Sequence, residues 1–122
     1  MDKIRTAVVG VGYLGRFHAQ KYAQAAGCEL VGVVDAKAEA RDAVAAELGV
    51  PAFADHRELL GKVDAVSVVT PTPAHFRIAH DFLSSGAHVL VEKPITETPE
   101  QARELIELAR RQGRVLQAGH LE

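Results

Sequence analysis

Ala7-Val8-Val9-Gly10-Val11-Gly12-Tyr13-Leu14-Gly15 decides the fold. The apolar, β-branched run from Ile4 to Val9 ends in Gly10 and reads as a strand buried on both faces. Tyr13 to Ala26 reads as a helix that Gly27 stops. Between strand and helix lies G-x-G-x-x-G, and each glycine has a physical use. Gly10 permits the tight turn. Gly12 removes a Cβ from the place where a pyrophosphate approaches the backbone. Gly15 lets the helix pack closely on the sheet. The free N–H groups of the helix N-terminus, with Tyr13 and Leu14 in the first turn, would receive the phosphates.

Working outward, strands and helices alternate. Glu29 to Asp35 is a second buried strand. Ala38 to Leu48 favours helix and Gly49 caps it. Val50 to Phe53 suits a short third strand, and Asp55 to Leu60 one or two helical turns. Asp64 to Thr70 is a fourth strand; Pro73 opens a helix to about Ser84; Ala87 to Val91 is a fifth strand. Thr98 and Gln101 form a capping box, with Pro99 first in the helix. Ala102, Leu105, Ile106 and Ala109 give that helix one apolar face, and Gly113 ends it. Val115 to Ala118 is a sixth strand. Such alternation predicts an α/β fold: a doubly wound parallel sheet of six strands, order 3-2-1-4-5-6, with helices on both faces. This is the Rossmann arrangement, and its ligand crevice lies at the carboxyl ends of strands 1 and 4.

Composition removes other classes. The 122 residues suit one domain. At 48% hydrophobic and 25% charged, the chain resembles a globular core rather than a disordered segment. The formal net charge is −2 with the basic residues dispersed, so no footprint for nucleic acid or anionic membrane exists. Cys28 is the single cysteine, which forbids an internal disulfide and points to a reducing, cytoplasmic setting. The first residues lack a signal-peptide layout, and no apolar stretch is long enough to span a bilayer.

Four further positions carry chemistry. Asp35 ends the second strand, twenty positions after Gly15. There a carboxylate accepts hydrogen bonds from an adenosine ribose and repels a 2′-phosphate, which favours NAD over NADP. Lys37 and Arg41 follow and soften that repulsion; the alternative role for Asp35 is to cap the next helix. Thr70-Pro71-Thr72-Pro73-Ala74-His75 follows the fourth strand, where the nicotinamide half of a dinucleotide would pass. His75 is in register with Ile78, Ala79 and Phe82, so a structural role outweighs a possible site role. Glu92-Lys93-Pro94 ends the fifth strand; alternation sends Glu92 and Lys93 to opposite sides. A partly desolvated Lys93 would hold or deprotonate a substrate hydroxyl; the alternative is a solvated surface lysine. His18 and His80 read as structural or solvated. No cluster has metal-ligand spacing, and Ser84 and Ser85 lack a nucleophile-elbow context.

Together these segments resemble the Gfo/Idh/MocA oxidoreductases, the glucose–fructose oxidoreductase and inositol 2-dehydrogenase type. The resemblance rests on Ala7 to Gly15, Val33-Val34-Asp35, Val69 to His75, and Val91-Glu92-Lys93-Pro94. It implies NAD or NADP bound at Gly10, Gly12, Tyr13, Leu14, Gly15, Asp35, Thr70, Pro71, Glu92 and Lys93, with Lys93 also the catalytic lysine. It implies hydride transfer at a hydroxyl or ketone of a sugar, cyclitol or sugar nucleotide. It makes a cis Lys93–Pro94 peptide an expectation. Such proteins continue into a second, mostly β domain, so residues 1–122 are expected to be the cofactor domain only. On this reading the 122 residues alone are inactive, and the intact protein is a homo-oligomer. The isolated domain would expose surface that favours a non-native dimer. His120 falls near the crossing into the second domain, while Leu121-Glu122 reads as part of that crossing or as the start of a tag scar. The competing function is a free-standing, non-enzymatic NAD-binding module such as a redox sensor or partner subunit.

Overall fold

A computed structural model describes residues 3–119. The chain runs β1 (Ile4–Val9), α1 (Tyr13–Gln24), β2 (Cys28–Val34), α2 (Ala38–Leu48), β3 (Ala52–Phe53), β4 (Ala65–Val68), α3 (His75–Ser84), β5 (His88–Glu92), α4 (Pro99–Gln112) and β6 (Leu116–Gly119). The six strands form one sheet in the order β3-β2-β1-β4-β5-β6, and every pairing is parallel. This is the topology expected from the alternation of strands and helices.

Both faces of the sheet are covered, and β1 shows why its second half, Ala7 to Val9, is apolar without a break. Ala7 and Val9 point into a core with Phe82 and Ile78 of α3 and Leu105 of α4. Val8, between them, points into a separate core with Ala19 of α1 and Val44 of α2. A strand with a helix layer on each side has no solvent face, so the polar/apolar alternation of an exposed sheet disappears. The order reverses at β1: β2 lies on one side, β4 on the other. At that switch point the connections leave in opposite directions, and a crevice opens outside the carboxyl ends.

Local differences have physical causes. Helix α1 ends at Gln24, not Ala26, because Ala25 turns extended (ψ 126°) and Cys28 donates back to its carbonyl. Pro73 starts no α-helix. It lies in a 3-10 turn, Thr72–Ala74, and α3 begins at His75. The turn before β4 is likewise 3-10, His56–Leu59, capped by Asp55. On α4, Ile106 is 55% exposed and Leu108 is buried in its place. At ~100° per residue, Leu108 lies about 60° from Leu105 and Ile106 about 100°. A stripe centred between Leu105 and Ala109 lies about 80° from both, so the rotation of α4 on the core decides, and it buries Leu108. Thr98 accepts from the Gln101 N–H at 3.2 Å as expected, but Gln101 Oε1 accepts from Glu97 N–H rather than from that of Thr98. Gly49 and Gly113 end α2 and α4 in left-handed backbone, as their positions suggested.

Candidate cofactor-binding site

The glycine loop is held from both sides. Gly10 has φ +93°, and a Cβ there would sit 2.7 Å from the Val69 backbone. A Cβ on Gly15 would overlap the Gly10 carbonyl, so the helix touches the loop directly. Gly12 differs: a Cβ built on it meets nothing within 4 Å. It is the N-cap of α1, with no side-chain cap and no acidic residue in the first turn. The first-turn N–H groups therefore have no intrahelical partner and face open space, where an anion is stabilised by hydrogen bonds and by the helix dipole.

Asp35 lies immediately beyond β2. Its Oδ2 accepts from Val11 N–H and its Oδ1 from Lys37 N–H, both at 2.9 Å. The carboxylate thus fixes the glycine loop and the turn into α2 at once, but it does not cap that helix: the N-cap is Lys37, and no side chain caps it. Each oxygen keeps a further lone pair for a ligand hydroxyl. Arg41 reaches back to the carbonyls of Asp35 and Ala36 at 3.1 and 3.3 Å, closing the rim beside it.

Gly10, Gly12, Asp35, Thr70 and Pro71 line one hollow of about 590 Å³, together with Val9, Val34 and Val69 at the strand ends. Thr70 Oγ1 is buried in that wall without a hydrogen-bond partner. An orphaned hydroxyl costs free energy unless a ligand satisfies it. A neighbouring hollow of about 600 Å³, lined by Arg57, Arg77 and Gln101, shares His56, Ala74 and Ile78 with the first. It contains neither the glycine loop nor the mouth of α1, so it lacks the anion-binding geometry.

Other predicted positions lie outside this hollow. Tyr13 is 79% exposed and packs edge-on against Phe17 on the outer side of α1, centroids 5.1 Å apart. Leu14 is half-buried. Glu92 turns under α1: its Oε2 lies 3.6 Å from His18 Nε2, while His18 Nδ1 meets Ser67 Oγ at 3.0 Å and Tyr22 OH meets the same Oγ at 2.6 Å. Burial pushes the His18 imidazole below its ordinary value, and Glu92 opposes that shift. Lys93 is exposed at the carboxyl end of β5, and the Lys93–Pro94 peptide is cis. His75 is almost wholly buried and also lies outside the hollow. Its Nδ1 meets the carbonyls of Pro94 and Ile95 at 2.9 and 3.2 Å, and its Nε2 the Thr70 carbonyl at 2.7 Å. It straps the loop after β4 to the loop after β5. His120, expected at this edge, lies outside the described residues. Among the described residues, no group of three or more His, Cys, Asp or Glu is placed to hold a metal ion, and no helix is long and apolar enough to cross a membrane.

The hollow also has walls that sequence reasoning missed: Ala40, Ala54, His56 and Ile78. Ile78 carries a signal, the apolar face of α3, but one that also fits simple core packing. Nothing in the sequence around His56 marks it as a crevice residue.

A doubly wound parallel sheet with a glycine loop at its switch point and an acidic residue after β2 is the architecture of a dinucleotide-binding domain. The chain belongs to the GFO_IDH_MocA oxidoreductase family, described as having an NAD-binding Rossmann fold, whose pattern matches residues 4–120. It is 49% identical over 122 residues to UDP-N-acetylglucosamine 3-dehydrogenase of Acidithiobacillus ferrooxidans, covering all of this chain and 38% of that protein. A solved structure of that enzyme agrees with a TM-score of 0.90 at 50% identity, over 98% of this chain and 39% of that one. The scyllo-inositol 2-dehydrogenase (NAD(+)) of Bacillus subtilis is 33% identical over 123 residues, 98% of this chain and 36% of that protein. GenD2 from gentamicin A biosynthesis, solved in complex with NAD, agrees with a TM-score of 0.93 at 32% identity, over 98% of this chain and 35% of that one. The chain spans little more than a third of the length of these relatives.

Proposed function

We propose that this chain is the NAD-binding domain of a dehydrogenase that acts on a hydroxyl or ketone of a sugar, cyclitol or sugar nucleotide. The observation that carries the reading is the uncapped N-terminus of α1, which opens at Gly12 into the same hollow as the Asp35 carboxylate. The residues fit the cofactor. The first-turn N–H groups hold the pyrophosphate, Asp35 holds the adenosine ribose and disfavours a 2′-phosphate, and the Thr70 hydroxyl and Pro71 wall the path toward the nicotinamide. When bound, the nicotinamide supplies the hydride acceptor.

The remaining chemistry is this chain's. Lys93, at the carboxyl end of β5, holds the substrate hydroxyl and takes its proton as hydride leaves the same carbon. Glu92, drawn under α1 toward His18, leaves Lys93 without a carboxylate partner from its own motif. His75 fixes the loops on either side of Lys93 and Thr70. A dry pocket opposite the nicotinamide requires further protein, as the length of the relatives suggests. The intact protein is then the active species, and the 122 residues alone bind cofactor without turnover.

The test is NADH formation by the product of the full reading frame that contains this chain, across sugars, inositols and sugar nucleotides. Turnover of at least one is expected, and Lys93→Met should lower kcat by about 10²–10⁴-fold with NAD affinity kept. No turnover on the panel, or full activity in Lys93→Met, would count against the reading.

A further inference from the structure

The hollow continues past Asp35, away from the glycine loop, and that far end has its own chemistry. On the NAD reading above, which this inference extends, pyrophosphate lies at the loop and the ribose at Asp35, so the adenine falls here. Ala40, Ala54, Ala74 and Ile78 give it small apolar walls suited to a flat ring. Two polar side chains join them, Lys37 and His56. An ammonium only donates. An exocyclic amine entering this end therefore meets one side-chain acceptor, His56.

The surroundings of His56 fix which nitrogen accepts. The ring is buried, tilted against Phe82 with centroids 5.7 Å apart. Its Nε2 lies 2.7 Å from Asp81 Oδ2. A carboxylate accepts only, so Nε2 carries the hydrogen and Nδ1 of the neutral ring keeps its lone pair. Asp55 Oδ1 stands 3.7 Å from Nδ1 but is engaged elsewhere. The Arg57 guanidinium and backbone N–H occupy both Asp55 oxygens at 2.7 to 3.1 Å. Nδ1 hydrogen-bonds to no described atom, and His56 lines both this hollow and its neighbour.

We infer that His56 is the adenine-reading residue of the cofactor site: its Nδ1 accepts from the exocyclic 6-amine, and Asp81 positions the ring and sets its tautomer. A base with a 6-keto oxygen would set that oxygen's lone pairs against the Nδ1 lone pair, so it should be rejected. The residue reads the base and takes no part in the hydride step.

Nicotinamide hypoxanthine dinucleotide differs from NAD at this ring position, carrying a 6-oxygen where NAD carries the amine. Calorimetric titration of both into this chain reads the preference directly. NAD should bind about tenfold tighter, the loss of one hydrogen bond plus an unfavourable contact. His56→Phe keeps a ring against Phe82 and should bring the two affinities to within about twofold. Asp81→Asn frees the tautomer and should narrow the gap partway. Equal affinities in the native chain, tighter binding of the hypoxanthine form, or a preference that survives His56→Phe would overturn the inference. Should His56→Phe fail to fold by circular dichroism, the native comparison and Asp81→Asn still decide it. If neither dinucleotide bound, the NAD reading itself would fall, and this inference with it.

Discussion

Gly12→Val separates cofactor binding from folding. Gly12 has φ −70°, and a Cβ there touches nothing within 4 Å, so the valine displaces no protein atom. The fold should lose only the difference between two N-cap residues, about 1 kcal/mol, or about 4 °C in Tm for a domain of this size. The ligand loses much more. The branched side chain fills the space in front of the first-turn N–H groups of α1. Losing two charge-assisted hydrogen bonds to a pyrophosphate, at ~1.5–3 kcal/mol each, removes about 3–6 kcal/mol. That weakens binding by about 10²–10⁴-fold. Gly15→Val supplies the contrast: its Cβ overlaps the Gly10 carbonyl, so it should lower Tm by far more than Gly12→Val. Calorimetry with NAD and thermal denaturation of both variants make the comparison. A folded Gly12→Val chain that binds NAD within about threefold of the native affinity would refute the placement of the phosphates at α1.

Three further outcomes are expected. Asp35→Asn keeps an oxygen for Val11 N–H but removes the charge, so NADP should gain on NAD in competitive titrations; an unchanged ratio would mean that Asp35 does not face the 2′-position. Arg5 beside Asp64 holds that carboxyl down at about 2, below the usual ~3.9. This stabilises the fold above about pH 4 and is lost as pH falls toward 2, so Tm in Asp64→Asn should fall less steeply across that window than in the native chain. Thr98→Ala removes the acceptor for Gln101 N–H and should cost about 1 kcal/mol in urea denaturation, while a neutral result would show that water replaces the cap.

The sheet was legible because its strongest signals are local. Ile4 to Val9 has no polar alternation, since Ala7 and Val8 face different helix layers, and so short an apolar run bounded by glycine fits a doubly covered strand better than a helix. The glycine spacing and Asp35 place the phosphate end of the crevice by chemistry that only certain residues permit. The far end was not legible. Ala40, Ala54 and His56 come from separate segments, and the parallel register of β2 and β3 brings them together only after folding. Glu92 reads as a neighbour of Lys93 along the chain. Whether it turns into the crevice or under α1 depends on His18 of α1, which lies 3.6 Å from it and is itself held by Ser67 of β4. Ile106 and Leu108 are equally apolar, and only the rotation of α4 on the core chooses between them.

The most direct test is calorimetric titration of this chain with NAD(H) and with NADP(H), side by side in the same buffer. One dinucleotide per chain should bind, with NAD(H) at least about tenfold tighter, because Asp35 meets a ribose hydroxyl in one and a phosphate in the other. Equal affinity for the two would contradict the role given to Asp35, and absence of binding by both would contradict the cofactor site as a whole.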